Sequence, residues 1–415
     1  MLNRRNLFAA TAAASVVGST MTGRKAASRL PTNDIEPRGT DRRLERLPRL
    51  DLESQEDFLT GFRAFVNTDL TVAATKRAFK ILKENGFTPR DDVPLKQALE
   101  LLADDPIIGT RFRTWTSTQQ MMWRNLMDEF HGNAEAYFAE MEAVDNSGPG
   151  TLELNPDMEI PNYARYEIHV QPGGYVGDPF AGHVYHYGTN NFYTDTNNQD
   201  EMHISMANAV PRPPSDGKVR RILDLGCGVG QLTVALKERF PEAEVWGIDV
   251  GGPMVRFSHM RAVDLGVDVN FAQRLAEDTK FPDGHFDIVT SYILHHEIPE
   301  ETSKQVTEEA YRVLRPGGVF YPIDFYTGLF PQDKSPWGKV RWWWTYRWNQ
   351  EVWYPEYARF DFPAAMRATG FEVNEKGPPA WARVSGVDDT DVEVDGMGNG
   401  GRQRYGRNLL GVKPV

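Results

Sequence analysis

Residues 222–230 read Ile-Leu-Asp-Leu-Gly-Cys-Gly-Val-Gly, and no other stretch of the chain constrains its fold as tightly. An apolar run carrying Asp224 meets a Gly-x-Gly-x-Gly turn, and residues 231–239 then have helical composition. The pattern predicts a strand, a tight turn and a helix. Glycines let the backbone come close to a ligand, and the first amides of the following helix point toward it. Alone, the triple-glycine turn is a weak signal, because many doubly wound proteins carry one.

Its neighbours strengthen it. Residues 243–248 predict a second strand, and Asp249 follows it at the edge where doubly wound folds hold a ribose. Residues 268–271 predict a third strand and precede Arg274-Leu275-Ala276-Glu277-Asp278. The segment Phe281-Pro282-Asp283-Gly284-His285-Phe286-Asp287 leads into an apolar strand at 288–291. Tyr311-Arg312-Val313-Leu314-Arg315-Pro316-Gly317-Gly318 closes a helix and opens a strand at 319–323. Segments 371–374 and 409–413 predict an antiparallel pair at the sheet edge.

Taken in order, these blocks resemble the class I S-adenosylmethionine-dependent methyltransferases, in particular the small-molecule branch of ubiquinone/menaquinone and sterol methyltransferases. The resemblance covers residues 218–326. It implies an α/β fold: a Rossmann-like, doubly wound seven-stranded sheet with an antiparallel last strand. It implies S-adenosyl-L-methionine as cofactor. Asp224, Gly226, Cys227, Gly228 and Gly230 would surround its amino-acid end, and Asp249 would accept both ribose hydroxyls. Val250 would pack on the adenine. Leu275 stands where the family usually has an acidic residue, so the adenine contact passes to Ala276 or Glu277. A dehydrogenase reading of the same geometry needs Gly-x-Gly-x-x-Gly, and the spacing here is one residue shorter.

The fourth strand ends at Ser291, so Tyr292 and residues 293–297 fall near the transferred methyl group. Histidine titrates near neutrality, which makes His295 and His296 candidate bases, with His169 and His186 as rivals from the region before the sheet. Helix-start packing is the other reading of the His-His pair.

The chain has 415 residues and a net charge of −12. A nucleic-acid methyltransferase usually shows a basic face. One acting on base amines usually carries Asn/Asp-Pro-Pro-aromatic where this chain has Ser291-Tyr292-Ile293-Leu294. Nucleic acid is therefore not the expected partner, and an apolar small molecule such as a quinone, polyketide or sterol-like lipid is. Cys227 is the only cysteine, which excludes an intramolecular disulfide.

The segment Asn3-Arg4-Arg5-Asn6-Leu7-Phe8, followed by a weakly apolar run, resembles a bacterial twin-arginine export signal within residues 1–28. A disordered basic tail is the alternative. Residues 29–50 read as a linker and 51–146 as a helical cap domain of three or four helices. Phe58, Phe62 and Phe65 form one helical stripe. So do Leu95, Leu99 and Leu102, and Trp115, Met122, Leu126 and Phe130. Residues 147–215 read as an irregular substrate-binding region, and 216–415 as the cofactor domain. His183 and His186 have a spacing that permits metal binding, but no third ligand accompanies them, so no metal is expected.

Six of the ten tryptophans fall between 337 and 353. This block, 335–355, has three readings: an aromatic lid over the acceptor, a membrane-interface helix, or a helix packed as core. An insertion at 375–408 is expected to emerge on the catalytic edge.

Overall fold

The computed structural model describes residues 40–41, 44–45, 47, 49–194, 197, 200–324, 335–377 and 408–415. The export-like segment and the body of the 375–408 insertion lie outside these residues.

Strands β1 (Leu152–Glu153), β2 (Arg221–Leu225), β3 (Glu244–Asp249), β4 (Asn270–Gln273), β5 (Phe286–Tyr292), β6 (Leu314–Ile323), β7 (Glu372–Gly377) and β8 (Asn408–Val412) form one sheet. Its spatial order is β1-β4-β3-β2-β5-β6-β8-β7. All pairs are parallel except β6–β8 and β8–β7. Ile222, Leu223, Asp224 and Leu225 are all buried, as the central strand of a sheet covered on both faces requires. Helices α8 (Gln231–Arg239), α9 (Gly252–Leu265) and α10 (Glu300–Val313) make the crossovers.

The expectation of seven strands is corrected to eight. Leu152 and Glu153 extend the β4 edge, where the Thr151 carbonyl accepts the Phe271 amide at 2.8 Å. The third predicted strand lies two residues later than expected, at Asn270–Gln273. The antiparallel edge pair forms as expected, with Leu410 opposite Asn374. From β2 the sheet continues through β3 and β4 on one side, and from β5 through β6 on the other, so the direction of succession reverses between β2 and β5. Ligands of such sheets bind at the carboxyl ends of the strands flanking this reversal.

The helical region is richer than predicted. It holds α1 (Leu50–Phe65), a π turn at Val66–Leu70, α2 (Thr71–Glu84), α3 (Leu95–Leu102), α4 (Pro106–Gly132) and α5 (Ala134–Val144). Phe58 and Phe65 are exposed, at 66% and 47%, and stack on Phe62. The buried face of α1 is instead Leu52, Leu59 and Arg63. The Arg63 guanidinium lies 3.5 Å from the Trp115 ring centre and donates to the Trp115 carbonyl at 2.8 Å, so the Phe stripe faces outward. The region at 147–215 is not wholly irregular; it contains α6 (Ala181–Phe192) and α7 (Glu201–Ala209). Among the described residues, no helix is long and apolar enough to cross a membrane.

The tryptophan block forms α11 (Pro336–Trp348), capped by the Ser335 hydroxyl, which accepts the Gly338 amide at 2.9 Å. Trp337 and Trp344 are buried in one cluster with Ala78, Leu82, Leu102 and Phe112. Trp344 stacks on Phe112 at 4.9 Å, and Trp337 Nε1 donates to Thr75 Oγ1 at 3.1 Å. The block thus joins the cofactor domain to α2, α3 and α4.

Candidate active site

The turn after β2 is shaped by its glycines. Gly226, Gly228 and Gly230 have φ of 65°, 54° and 74°, the left-handed region that costs glycine nothing. A Cβ on Gly226 would stand 2.9 Å from Leu294 Cδ1, and one on Gly230 would stand 2.8 Å from Phe271 Cζ. These two positions are closed by the fold. A Cβ on Gly228 would meet nothing nearer than 4.0 Å, so this glycine borders open space.

Asp249 ends β3 beside that space. Its Oδ2 accepts the Gly228 amide at 3.0 Å and its Oδ1 accepts the Gly251 amide at 2.8 Å. Each oxygen keeps further acceptor capacity for a ligand. Low-dielectric surroundings push its pKa up to about 6, although the two amides pull it down. Asp224 is deeper, 1% exposed. Its Oδ2 accepts from Thr233 Oγ1 at 2.7 Å, while Oδ1 is buried with no partner. Burial, reinforced by the charge of Asp249 and opposed by the Thr233 hydroxyl, pushes it up to about 7.

One cleft spans the switch point. Its walls include Gly226, Gly228, Asp249, Val250, Met254, Ala276, Glu277, Tyr292, Leu294 and Glu297 from the sheet edge, and Tyr163, Ile168, Tyr175 and Tyr185 from the cap. It encloses about 880 Å³ between atoms, its open mouth included. Tyr175 and Tyr185 meet edge to face at 5.6 Å, and Tyr163 donates its hydroxyl to Glu277 Oε1. Tyr163 carries no periodic signal, and the sequence reading did not single it out.

Of the other expected residues, Cys227, Gly230 and Ser291 lie beneath the cleft and do not line it. Cys227 is packed with Val234 and Phe271, and burial raises its thiol pKa, as do the charges of Asp249 and Asp224.

The candidate bases are placed unequally. Tyr292 lines the cleft; His169, His295 and His296 do not. His295 is fully buried, with Nδ1 2.8 Å from Ser303 Oγ. Burial lowers its pKa to about 4. His296 Nδ1 lies 2.6 Å from Asp324 Oδ1. Burial opposes its charge, but Asp324 and Glu297 raise its pKa well above the usual value. His169 has φ of 57°, uncommon outside glycine. Burial would lower its pKa, yet Glu351 and Glu297 prevail and push it up to about 10. Burial raises the Glu297 carboxyl, but the hydrogen bonds and charges of His169 and His296 bring it down to about 2. His183 and His186 pack among the rings of Phe130, Tyr187 and Phe257.

None of the six tryptophans of the block lines the cleft. The nearest link is Trp353, whose Nε1 donates to the Tyr163 carbonyl at 3.3 Å. The lid expectation is thereby corrected: Trp337 and Trp344 turn toward the helical domain, whose apolar faces they cover.

Comparison with known proteins agrees with this geometry. Residues 222–318 match the family model described as "Methyltransferase domain". The demethylmenaquinone methyltransferase of Thermus thermophilus is 40% identical over 106 residues, covering 26% of this chain and 47% of its own. The ubiquinone biosynthesis O-methyltransferase of Pseudomonas entomophila is 35% identical over 105 residues, covering 25% and 43%. The ubiquinone/menaquinone biosynthesis C-methyltransferase of Burkholderia multivorans is 32% identical over 154 residues, covering 35% and 62%. The chain carries a methyltransferase domain of the class I, S-adenosylmethionine-dependent type. It spans about half the length of the curated relatives it matches.

The residues present fit that cofactor. Asp249 offers unused acceptor capacity, Gly228 leaves room beside it, and a buried carboxylate oxygen of Asp224 stands without a partner under the turn.

Proposed function

We propose that this chain transfers a methyl group from S-adenosylmethionine to an apolar small-molecule acceptor of the quinone, polyketide or lipid-like class. The observation that carries the reading is the sharing of one cleft by the Asp249 carboxylate and an apolar wall of Ile168, Leu294, Ile298 and Val306. The relatives named above, whose names refer to quinone biosynthesis, support the same class of acceptor.

When bound, the cofactor supplies a methyl group activated on a cationic sulfonium. The chain orients and shields. In this reading Asp249 accepts the ribose hydroxyls, and Val250, Ala276 and Glu277 border the adenine. Gly226 and Gly228 bring main chain close to the amino-acid end, with Asp224, Cys227, Gly230 and Ser291 supporting the turn from below. Tyr175, Tyr185 and Tyr292 exclude water and offer ring faces, which favour a cation. Holding two reactants in line supplies most of what such a displacement needs. Neither His295 nor His296 lines the cleft, and each has Nδ1 engaged, by Ser303 and Asp324 respectively, so this reading gives neither the part of base.

The test is turnover with methyl-labelled cofactor against a panel of demethylated quinones and a lipid extract. Labelled acceptor and S-adenosylhomocysteine should accumulate together. A folded protein that binds the cofactor and forms neither product would overturn the reading.

A further inference from the structure

Three side chains that the methyl-transfer reading leaves unused converge beside the cleft. His169 Nε2 lies 3.3 Å from Glu297 Oε1, and His169 Nδ1 lies 3.0 Å from Glu351 Oε1. One nitrogen or oxygen from each residue falls within 4.8 Å of those of the other two. They come from three separate parts of the chain: the cap, the turn after β5, and the segment after α11.

Each carboxylate meets the imidazole through one oxygen and keeps a second. Glu297 Oε2 and Glu351 Oε2 are each buried with no hydrogen-bond partner, and Glu351 is only 7% exposed. The imidazole meets one oxygen of each carboxylate, and His296 Nε2 also lies 3.6 Å from Glu297 Oε1; a buried carboxylate oxygen left without a partner is costly unless a positive group reaches it. Asn349 Nδ2 lies 3.0 Å from His169 Nδ1, and the backbone of His169 is held from behind. The His169 carbonyl accepts from Trp123 Nε1 at 2.9 Å and from Gln119 Nε2. Gln119 in turn donates to Asn349 Oδ1 at 2.6 Å, and Asn349 Nδ2 donates to Glu351 Oε1 at 3.2 Å. An outer layer that fixes the ligands is what metal sites carry.

We propose that His169, Glu297 and Glu351 form a binding site for one first-row divalent cation. One imidazole and two carboxylates suit ions such as Mn²⁺ and Zn²⁺. Three protein ligands leave coordination positions open, as catalytic sites do. Because Glu297 is also a wall of the cleft, the site adjoins the cleft. On the methyl-transfer reading, this narrows the acceptor to one with a phenolic, enolic or carbonyl oxygen next to the methylated atom.

The full chain, stripped with a chelator and desalted, would be titrated with Mn²⁺ while free Mn²⁺ is followed by electron paramagnetic resonance. Zn²⁺ competition would follow by calorimetry. Wild type should bind one equivalent in the micromolar range. Glu351→Gln should bind at least tenfold more weakly, with unchanged cofactor affinity in the same samples. If Glu351→Gln fails to fold, His169→Asn serves with the same readout, since asparagine tolerates the left-handed backbone. No saturable binding of either ion by wild type, or equal binding by wild type and variant, would overturn the proposal and leave an imidazolium bridging two carboxylates. Cofactor binding without the cation separates the two ideas: Mn²⁺ bound without cofactor defeats methyl transfer and keeps the site, while the reverse defeats the site alone.

Discussion

The Gly228 amide donates to Asp249 Oδ2 at 3.0 Å, so the turn after β2 and the end of β3 are one unit. The same carboxylate holds the Gly251 amide at the start of α9. Asp249 therefore shapes both sides of the cleft mouth while facing into it. Burial keeps both Asp249 and Asp224 above the ordinary carboxyl range, and the charge of Asp249 adds to the rise at Asp224.

Cofactor affinity should depend on pH through Asp249. The carboxylate form accepts hydroxyl donors; the neutral form loses half of that capacity. With a pKa of about 6, affinity should be level above pH 7 and fall toward tenfold per unit well below pH 6. Asp249→Asn should remove the slope. A slope that persists in this variant would assign it to another group.

The unliganded fold should respond in the opposite sense. Both pKa values are raised on folding. Their stabilising contribution is therefore complete below the unfolded carboxylate pKa and is lost as pH rises through about 6 to 7. In Asp224→Asn the melting temperature should be less sensitive to pH between 4 and 8 than in wild type. Parallel melting curves for the two proteins would contradict this.

Trp344→Ala should act on stability rather than on the cleft. The ring stacks on Phe112 at 4.9 Å and meets Trp115 edge-on at 5.2 Å. Truncating a buried tryptophan costs about 3–5 kcal/mol. Denaturant unfolding should show that loss, with cofactor affinity unchanged. A large drop in acceptor turnover without loss of stability would restore the lid.

Gly188→Ala tests how closely α6 approaches α4. A Cβ there would stand 2.0 Å from Trp123 Cζ3, and Trp123 also anchors the His169 carbonyl. Overpacking of this kind costs about 1–3 kcal/mol. The variant should melt lower, and it should disturb the His169 turn. A melting temperature equal to wild type would mean that the two helices stand further apart.

The sheet was legible because its signals are local. Asp224 lies in β2, Asp249 ends β3, and the three glycines lie in the turn after β2, while buried parallel strands read as continuous apolar runs. The cap was legible only as a region. Tyr163, Tyr175 and Tyr185 line the cleft from turns and one helix, without a period to mark them. The tryptophan block has the same composition whether it covers a ligand or a helix, and only the apolar faces of α2, α3 and α4 decide between these. Glu351 lies 182 positions beyond His169, and no spacing rule joins residues that far apart. The Phe58–Phe62–Phe65 stripe marks a helix face but not the buried one, because Arg63, a charged residue, claims that face by stacking on Trp115.

The most direct test of the cofactor site is calorimetric titration of wild type and Asp249→Ala with S-adenosylmethionine at pH 8. The wild type should bind at one site, and the variant should lose about 1–3 kcal/mol, the cost of leaving hydroxyl donors without a charged acceptor. Equal affinity in the two proteins, or no saturable binding by a folded wild type, would contradict the account.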